Sequence, residues 1–323
     1  MIASKCNNVH NCTQYIFRYF LHTTINQYDL TIPAKTDNFP LSATVFEPSD
    51  QNATRISAVL SSATGVKRQF YSHFAQYLSE QHQIRTICYD YRGIGRSTPP
   101  KGTEWNLIDW IQKDCAGVLE YTLQKYPQDQ LVTIGHSVGV HAHAMMHPEL
   151  NKQVQRVLSV AGNNAYLLWQ KKLNLTFLMT LLMFYVLREP LIYFYDYFPM
   201  KQLFNVMEDL PKNVVRQWAY FIKHKKYFVD KKGVPLFPEG YESLQCPLLA
   251  ISFENDEYST KRSFDTFHEP FVNCQLIQRH YTRQYQFGHL KFFSSKASKS
   301  RLWQECAEFL KTGQIPPMEE RKE

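Results

Sequence analysis

The feature that most constrains the fold is a short apolar run, Leu131 to Ile134, that passes straight into Gly135-His136-Ser137-Val138-Gly139 and then into a helix-like stretch from Val138. A Gly-x-Ser-x-Gly sequence between a strand and a helix demands a sharp turn. The serine must sit at a strained backbone position with its Oγ projecting above the sheet. The flanking glycines are needed because neighbouring backbone approaches too closely for a Cβ. Ser137 is therefore expected to be a nucleophile, the bland alternative being an ordinary glycine-rich strand-helix turn.

Around this turn, short strand-like runs alternate with helix-like ones, the pattern of a mostly parallel sheet covered on both faces. Tyr28 to Pro33 and Leu41 to Phe46 read as two antiparallel strands, and Ile56 to Leu60, Arg85 to Tyr89, Val154 to Val160, Pro247 to Phe253 and Cys274 to His280 as further strands. Helices are expected at about 69–81, 104–125 and 300–311. In the second of these, Ile108, Ile111, Cys115, Val118 and Leu119 recur on one helical face. The rhythm breaks between Ala161 and Pro247, a gap of about 85 residues where a plain crossover needs far fewer. The predicted organisation is an appendage over 1–26, a core over 27–162 and 241–314, an inserted helical cap over 163–240 and a tail over 315–323.

A serine hydroxyl is a weak nucleophile unless a base accepts its proton and a carboxylate orients that base. The acid is expected after the strand Pro247 to Phe253, where Glu254-Asn255-Asp256-Glu257 stands, and Asp256 is selected, with Glu254 and Glu257 as alternatives. His289 is the best-placed base, beyond the last strand and before the last helix. His280, at the strand end, competes with it, and His268 reads as an exposed or packing residue of a helix. Two N–H donors are needed for a tetrahedral oxyanion. They are assigned to Val138, after the nucleophile, and Thr64, in the small-residue loop Ser61-Ser62-Ala63-Thr64-Gly65, with Gly65 next.

Through that loop, through Asp90-Tyr91-Arg92-Gly93-Ile94-Gly95-Arg96-Ser97, through the Ser137 turn and through Asp256 and His289, the chain resembles the α/β-hydrolase superfamily over about residues 27 to 312. Within it the chain looks similar to bacterial hydrolases of the lysophospholipase and serine-aminopeptidase-like branch, which carry an Asn/Asp-Asp-Glu-Tyr stretch, here Asn255-Asp256-Glu257-Tyr258, and a Gly-His pair before aromatic residues, here Gly288-His289 before Phe292-Phe293. The resemblance implies an eight-stranded, mostly parallel α/β-hydrolase sheet with helices on both faces, and makes the insertion a cap over the active site. Two features depart from the pattern: no His-Gly pair marks the oxyanion loop, and Val140 stands where many relatives have a second glycine.

The 36 Lys and Arg against 29 Asp and Glu give a net +7, but the basic residues are scattered, with only a modest cluster from Lys223 to Lys232, so no nucleic-acid partner is expected. Seven widely spaced cysteines do not form a disulfide framework. Cys6, His10, Cys12 and His22 lack the paired spacing of a zinc site. The opening residues do not read as a secretory signal, for want of a basic start followed by a long apolar run, and a cytoplasmic location is expected. Within the insertion, Phe177 to Leu187 is apolar apart from Thr180 and too short to span a membrane. The apolar run is closed by Arg188-Glu189-Pro190 and reads as a cap helix lining an acyl pocket, with peripheral membrane contact through the cap as the second reading. Rings at Tyr193, Phe194, Tyr195, Tyr197, Phe198, Trp218, Tyr220 and Phe221 are expected mostly in the cap core.

The function these residues favour is hydrolysis of a carboxylic ester with an apolar acyl or alcohol part through an acyl-Ser137 intermediate, with no metal or organic cofactor. A thioesterase or small-peptide aminopeptidase, and a silent hydrolase fold used for binding, are the competing readings.

Overall fold

The computed structural model describes residues 26–50, 54–169, 178–179, 181–205, 207–285, 287–294 and 301–315. The appendage, including Cys6, His10, Cys12 and His22, therefore lies outside the described residues except for Asn26, as do Phe177, Thr180 and residues 316–323.

Among the described residues, eight strands form one sheet: β1 (Gln27–Pro33), β2 (Pro40–Phe46), β3 (Ile56–Ser61), β4 (Arg85–Tyr89), β5 (Gln130–His136), β6 (Arg156–Val160), β7 (Leu248–Phe253) and β8 (Leu276–Tyr281), in the order 1-2-4-3-5-6-7-8. β2 runs antiparallel to both its neighbours, and every pairing from β4 to β8 is parallel. The period of two splits each apolar run between two cores. Val59, Ile87, Leu131 and Val157 face one, and Leu60, Cys88, Val132 and Leu158 the other. The first core is covered by the helix Ala116–Lys125, the helix Lys261–His268 and the segments between β6 and β7. Ser72–His82 and Arg301–Thr312 cover the second through Phe74, Leu78, Trp303 and Phe309. Burying one such side chain contributes about 1.5–3 kcal/mol.

The expected helix over 104–125 begins at Leu107, because Asn106 and Asp109 form a capping box: the Asn106 side chain accepts from the Asp109 N–H and Asp109 from the Asn106 N–H. It widens into a π-turn over Trp110–Cys115. There Asp114 receives the Arg92 backbone N–H and Nε, and the Trp110 indole donates to the Arg92 carbonyl. These bonds anchor the Asp90 to Ser97 loop to the helix.

The apolar run between β6 and β7 ends at Arg188-Glu189-Pro190, and the helix carries on past it, from a π-turn over Leu182–Leu187 into Arg188–Tyr195. Pro190 lacks an N–H, and the wide turn before it leaves the ladder locally open, so the ring is accommodated. The rings expected mostly in the cap core are divided: Phe198 and Phe221 are buried, whereas Tyr193 and Phe194 are 84% and 79% exposed.

Candidate active site

Ser137 follows β5 at φ +53°, a left-handed conformation that costs a non-glycine residue about 1–2 kcal/mol. The neighbouring glycines explain how the strain is held. A Cβ at Gly139 would lie 2.2 Å from the Ser61 carbonyl oxygen, and one at Gly135 would lie 2.6 Å from the Val140 nitrogen. The turn therefore closes on itself and on the end of β3, the strand that leads into the loop carrying Thr64. Ser137 is half-buried between the buried His136 and Val138. The helix expected directly from Val138 is a 3₁₀ turn over Ser137–His141, followed by a short helix, Ala142–Met145. It ends where Met146 turns extended, at φ −70° and ψ 149°, and Pro148 keeps the following His147 out of the helical region as well.

Asp256 lies just beyond β7, 1% exposed. Its Oδ1 accepts the Tyr258 and Ser259 backbone N–H groups at 2.8 and 2.9 Å, and its Oδ2 lies 2.8 Å from His289 Nδ1. The other carboxylates of the loop are turned elsewhere: Glu254 pairs with Arg283, and Glu257 is exposed. His280 hydrogen-bonds Ser252 across the β7–β8 pair. His268 is fully buried, bound to Ser159 and the Phe264 carbonyl. With Nδ1 on Asp256, His289 keeps Nε2 for another partner. No hydrogen bond joins it to Ser137 Oγ among the described residues, although the His289 ring lies 5.1 Å from that of His136, next to the serine in sequence.

Thr64 is buried after β3 in a loop that turns at Gly65, φ +69°. The segment between β6 and β7 folds over this loop: the Glu208 N–H donates to the Gly65 carbonyl at 2.7 Å, and a Cβ at Gly65 would touch Met207 and Leu210. From the same segment, Tyr227 and Phe228 pack edge-on against His141 in the turn after Ser137.

Two residues not anticipated from sequence join these loops. Tyr71 and His136 are fully buried. Tyr71 Oη accepts the Ala63 N–H at 2.8 Å and lies 2.8 Å from His136 Nδ1, while His136 Nε2 lies 2.8 Å from the His289 carbonyl oxygen. Burial, then the neighbouring His289, holds the His136 pKa well below the usual histidine value, so the ring is neutral. A histidine closing an otherwise apolar strand was the available signal for His136; Tyr71 carried none. Among the described residues, no group of three His, Cys, Asp or Glu side chains is arranged to hold a metal ion, and no helix is long and apolar enough to cross a membrane.

A family model described as the alpha/beta hydrolase fold matches residues 60–234. No curated protein matches the chain in sequence. Among solved structures, it is similar to a soluble variant of monoglyceride lipase from Saccharomyces cerevisiae in complex with a substrate analogue (11% identity, TM-score 0.65, covering 91% of this chain and 97% of that one). A Pyrococcus furiosus esterase (14%, 0.56, 91% and 92%) and a Mycobacterium smegmatis proline iminopeptidase (12%, 0.53, 88% and 97%) are similar as well. At these identities the likeness concerns the fold.

Proposed function

Because this chain belongs to the α/β-hydrolase fold family, we propose that it is a serine hydrolase cleaving a carboxylic ester with an apolar part through an acyl-Ser137 intermediate. The observation that carries the reading is the buried Asp256–His289 pair, at 2.8 Å, on loops beside a serine held at positive φ. His289 Nε2 takes the proton from Ser137 Oγ as that oxygen attacks the acyl carbon. The carbonyl oxygen becomes an oxyanion held by the Val138 and Thr64 N–H groups. Collapse breaks the ester bond, and the leaving alcohol takes the proton from His289. Water then repeats the sequence on the acyl-enzyme, releasing the acid and restoring Ser137. Asp256, locked by two backbone donors, keeps the His289 proton on Nδ1 and stabilises the imidazolium. The contact between His289 and Ser137 is one that tightens when substrate binds.

Residues 163–240 act as the cap. Their contacts to Gly65 and His141 place apolar side chains beside both the oxyanion loop and the nucleophile turn, which suits an apolar acyl or alcohol group. Esterase and lipase structures among the similar folds agree with an ester, and the proline iminopeptidase keeps amide cleavage as the alternative. Hydrolysis of p-nitrophenyl esters from acetate to palmitate tests the reading. Turnover should peak at one chain length and fall by about 10⁵ or more in Ser137→Ala. Absence of both turnover and fluorophosphonate labelling of Ser137 would move the assignment to a binding protein, whereas labelling without ester turnover would favour thioester or amide substrates.

A peripheral lipid contact is supported by a separate observation. Leu178, Leu182 and Val186, four residues apart, and then Tyr193 and Phe194, lie exposed along the helical stretch that carries the apolar run. Residues 163–240 hold eleven Lys and Arg against six Asp and Glu, a net +5 of the chain's +7. Lys223 lies over the Tyr185 ring of that stretch, linking it to the exposed Lys225, Lys226, Lys231 and Lys232. An apolar helix face with a basic rim fits an anionic bilayer surface of a cytoplasmic enzyme. Co-sedimentation with phosphatidylglycerol vesicles, lost in Tyr193→Ser/Phe194→Ser and weak with phosphatidylcholine, is the expected result. Equal partitioning of the variant and the wild type would discard the contact.

A further inference from the structure

The sheet alone does not set the three loops of the site relative to one another. The β3–β5 ladder ends at Ser61 and Gly135, and the β7–β8 ladder ends at Phe253 and Tyr281. Ala63, Ser137 and His289 all lie beyond those last pairs, so something else must hold them in register.

We infer that Tyr71 and His136 are positioning residues that couple the oxyanion loop to the base loop through one directed chain of hydrogen bonds. The inference rests on the hydrolase reading above and names its supporting residues. The direction is forced by the end groups. The His289 carbonyl only accepts, so His136 Nε2 carries the proton and the neutral ring presents Nδ1 as an acceptor. Tyr71 must then donate to Nδ1, and its oxygen accepts the Ala63 N–H. Every proton in the chain has one location. Phe293 seals it, with ring centroids 4.8 Å from Tyr71 and 4.9 Å from His136. In such a dry setting a missing partner is costly, so each group holds the next firmly. The Ala63 end adjoins Thr64, and the other end is the backbone of the base itself. A displacement of about 1 Å at reacting groups can cost about 10² in rate.

The test compares Tyr71→Phe, His136→Phe, their double variant and His136→Gln, whose amide can still donate to the His289 carbonyl. Each Phe variant should lower kcat by about ten- to a hundredfold with KM within about twofold and with the protein folded at the assay temperature. The double variant should lose little more than the worse single variant, because one chain is broken either way, and His136→Gln should recover part of kcat. Hydrogen–deuterium exchange should rise in peptides over 62–66 and 287–291 in both Phe variants and stay unchanged in the strands. Retention of kcat within about twofold in either Phe variant, additive losses in the double variant, or a loss that follows the unfolded fraction would overturn the inference. If the wild type neither turns over an ester nor labels at Ser137, the hydrolase reading fails by itself. The exchange measurement then decides the coupling: a rise in both peptides supports it, and a rise confined to the peptide nearer the mutation overturns it.

Discussion

An asparagine at position 256 would keep the shape of the side chain and reverse its chemistry. The Tyr258 and Ser259 N–H groups could still be received by the amide oxygen, but the amide NH₂ would face His289 Nδ1 and drive the imidazole proton to Nε2, the wrong tautomer for a base. Asp256→Asn should therefore lower kcat by about 10³–10⁴ with little change in thermal stability, measured by ester turnover beside a melting curve. The same residue shows what was legible at this scale. Three carboxylates follow β7 in sequence, and distance from the strand end favours Asp256 without excluding the others. Burial separates them, because Asp256 alone of the three is enclosed and met by two backbone donors, while Glu254 and Glu257 reach outward.

Among the elements, the helix that runs from Leu107 to Lys125 was visible in its apolar spacing, but its π-turn was not. The wide turn arises from partners remote in sequence: Arg92 captures Asp114, and the Lys35 N–H captures the Lys113 carbonyl. The approach that brings Lys35 so close also governs Gly117. A Cβ there would lie 2.5–2.7 Å from the Pro33 oxygen, the Ala34 Cα and the Lys35 nitrogen, all backbone atoms at the end of β1. Neither the helix nor the strand end can yield without breaking these bonds. Gly117→Ala should destabilise the protein by about 2–3 kcal/mol despite the better helix propensity of alanine, read as a lowered urea midpoint at unchanged slope.

For the molecule as a whole, buried histidines dominate the expected response to mild acid. Burial pushes His141, His143 and His268 down to about 4 and lowers His136 well below the usual value of 6.5. Above pH 6.5 these groups are neutral in both states and contribute nothing to the slope. As pH falls below 6.5 the unfolded chain takes up protons that the fold refuses, so stability declines until about pH 4. Asp114 acts in the opposite sense: burial raises it to about 7 against the pull of Arg92, so between about pH 4 and 7 the fold binds a proton that the unfolded chain releases. Four histidines against one carboxyl leave a net loss, at most about 1.4 kcal/mol per pH unit for each group in excess. Urea midpoints should fall between pH 6.5 and 5. A midpoint that is flat or rises over that interval would contradict the burial of these rings.

The parallel sheet, the Ser137 turn and the order in which nucleophile, acid and base candidates occur were legible in the residues alone, because strand periodicity and the steric demands of glycine are local properties of the chain. The sequence also showed that the β6–β7 connection is too long for a plain crossover. Which carboxylate meets His289, how the exposed and buried rings of the insertion divide, and the hydrogen bonds by which Tyr71 and His136 tie two loops together emerge only in the folded chain. Those outcomes depend on hydrogen bonds and burial between residues far apart in the chain, and no local pattern of residues encodes the distance between them.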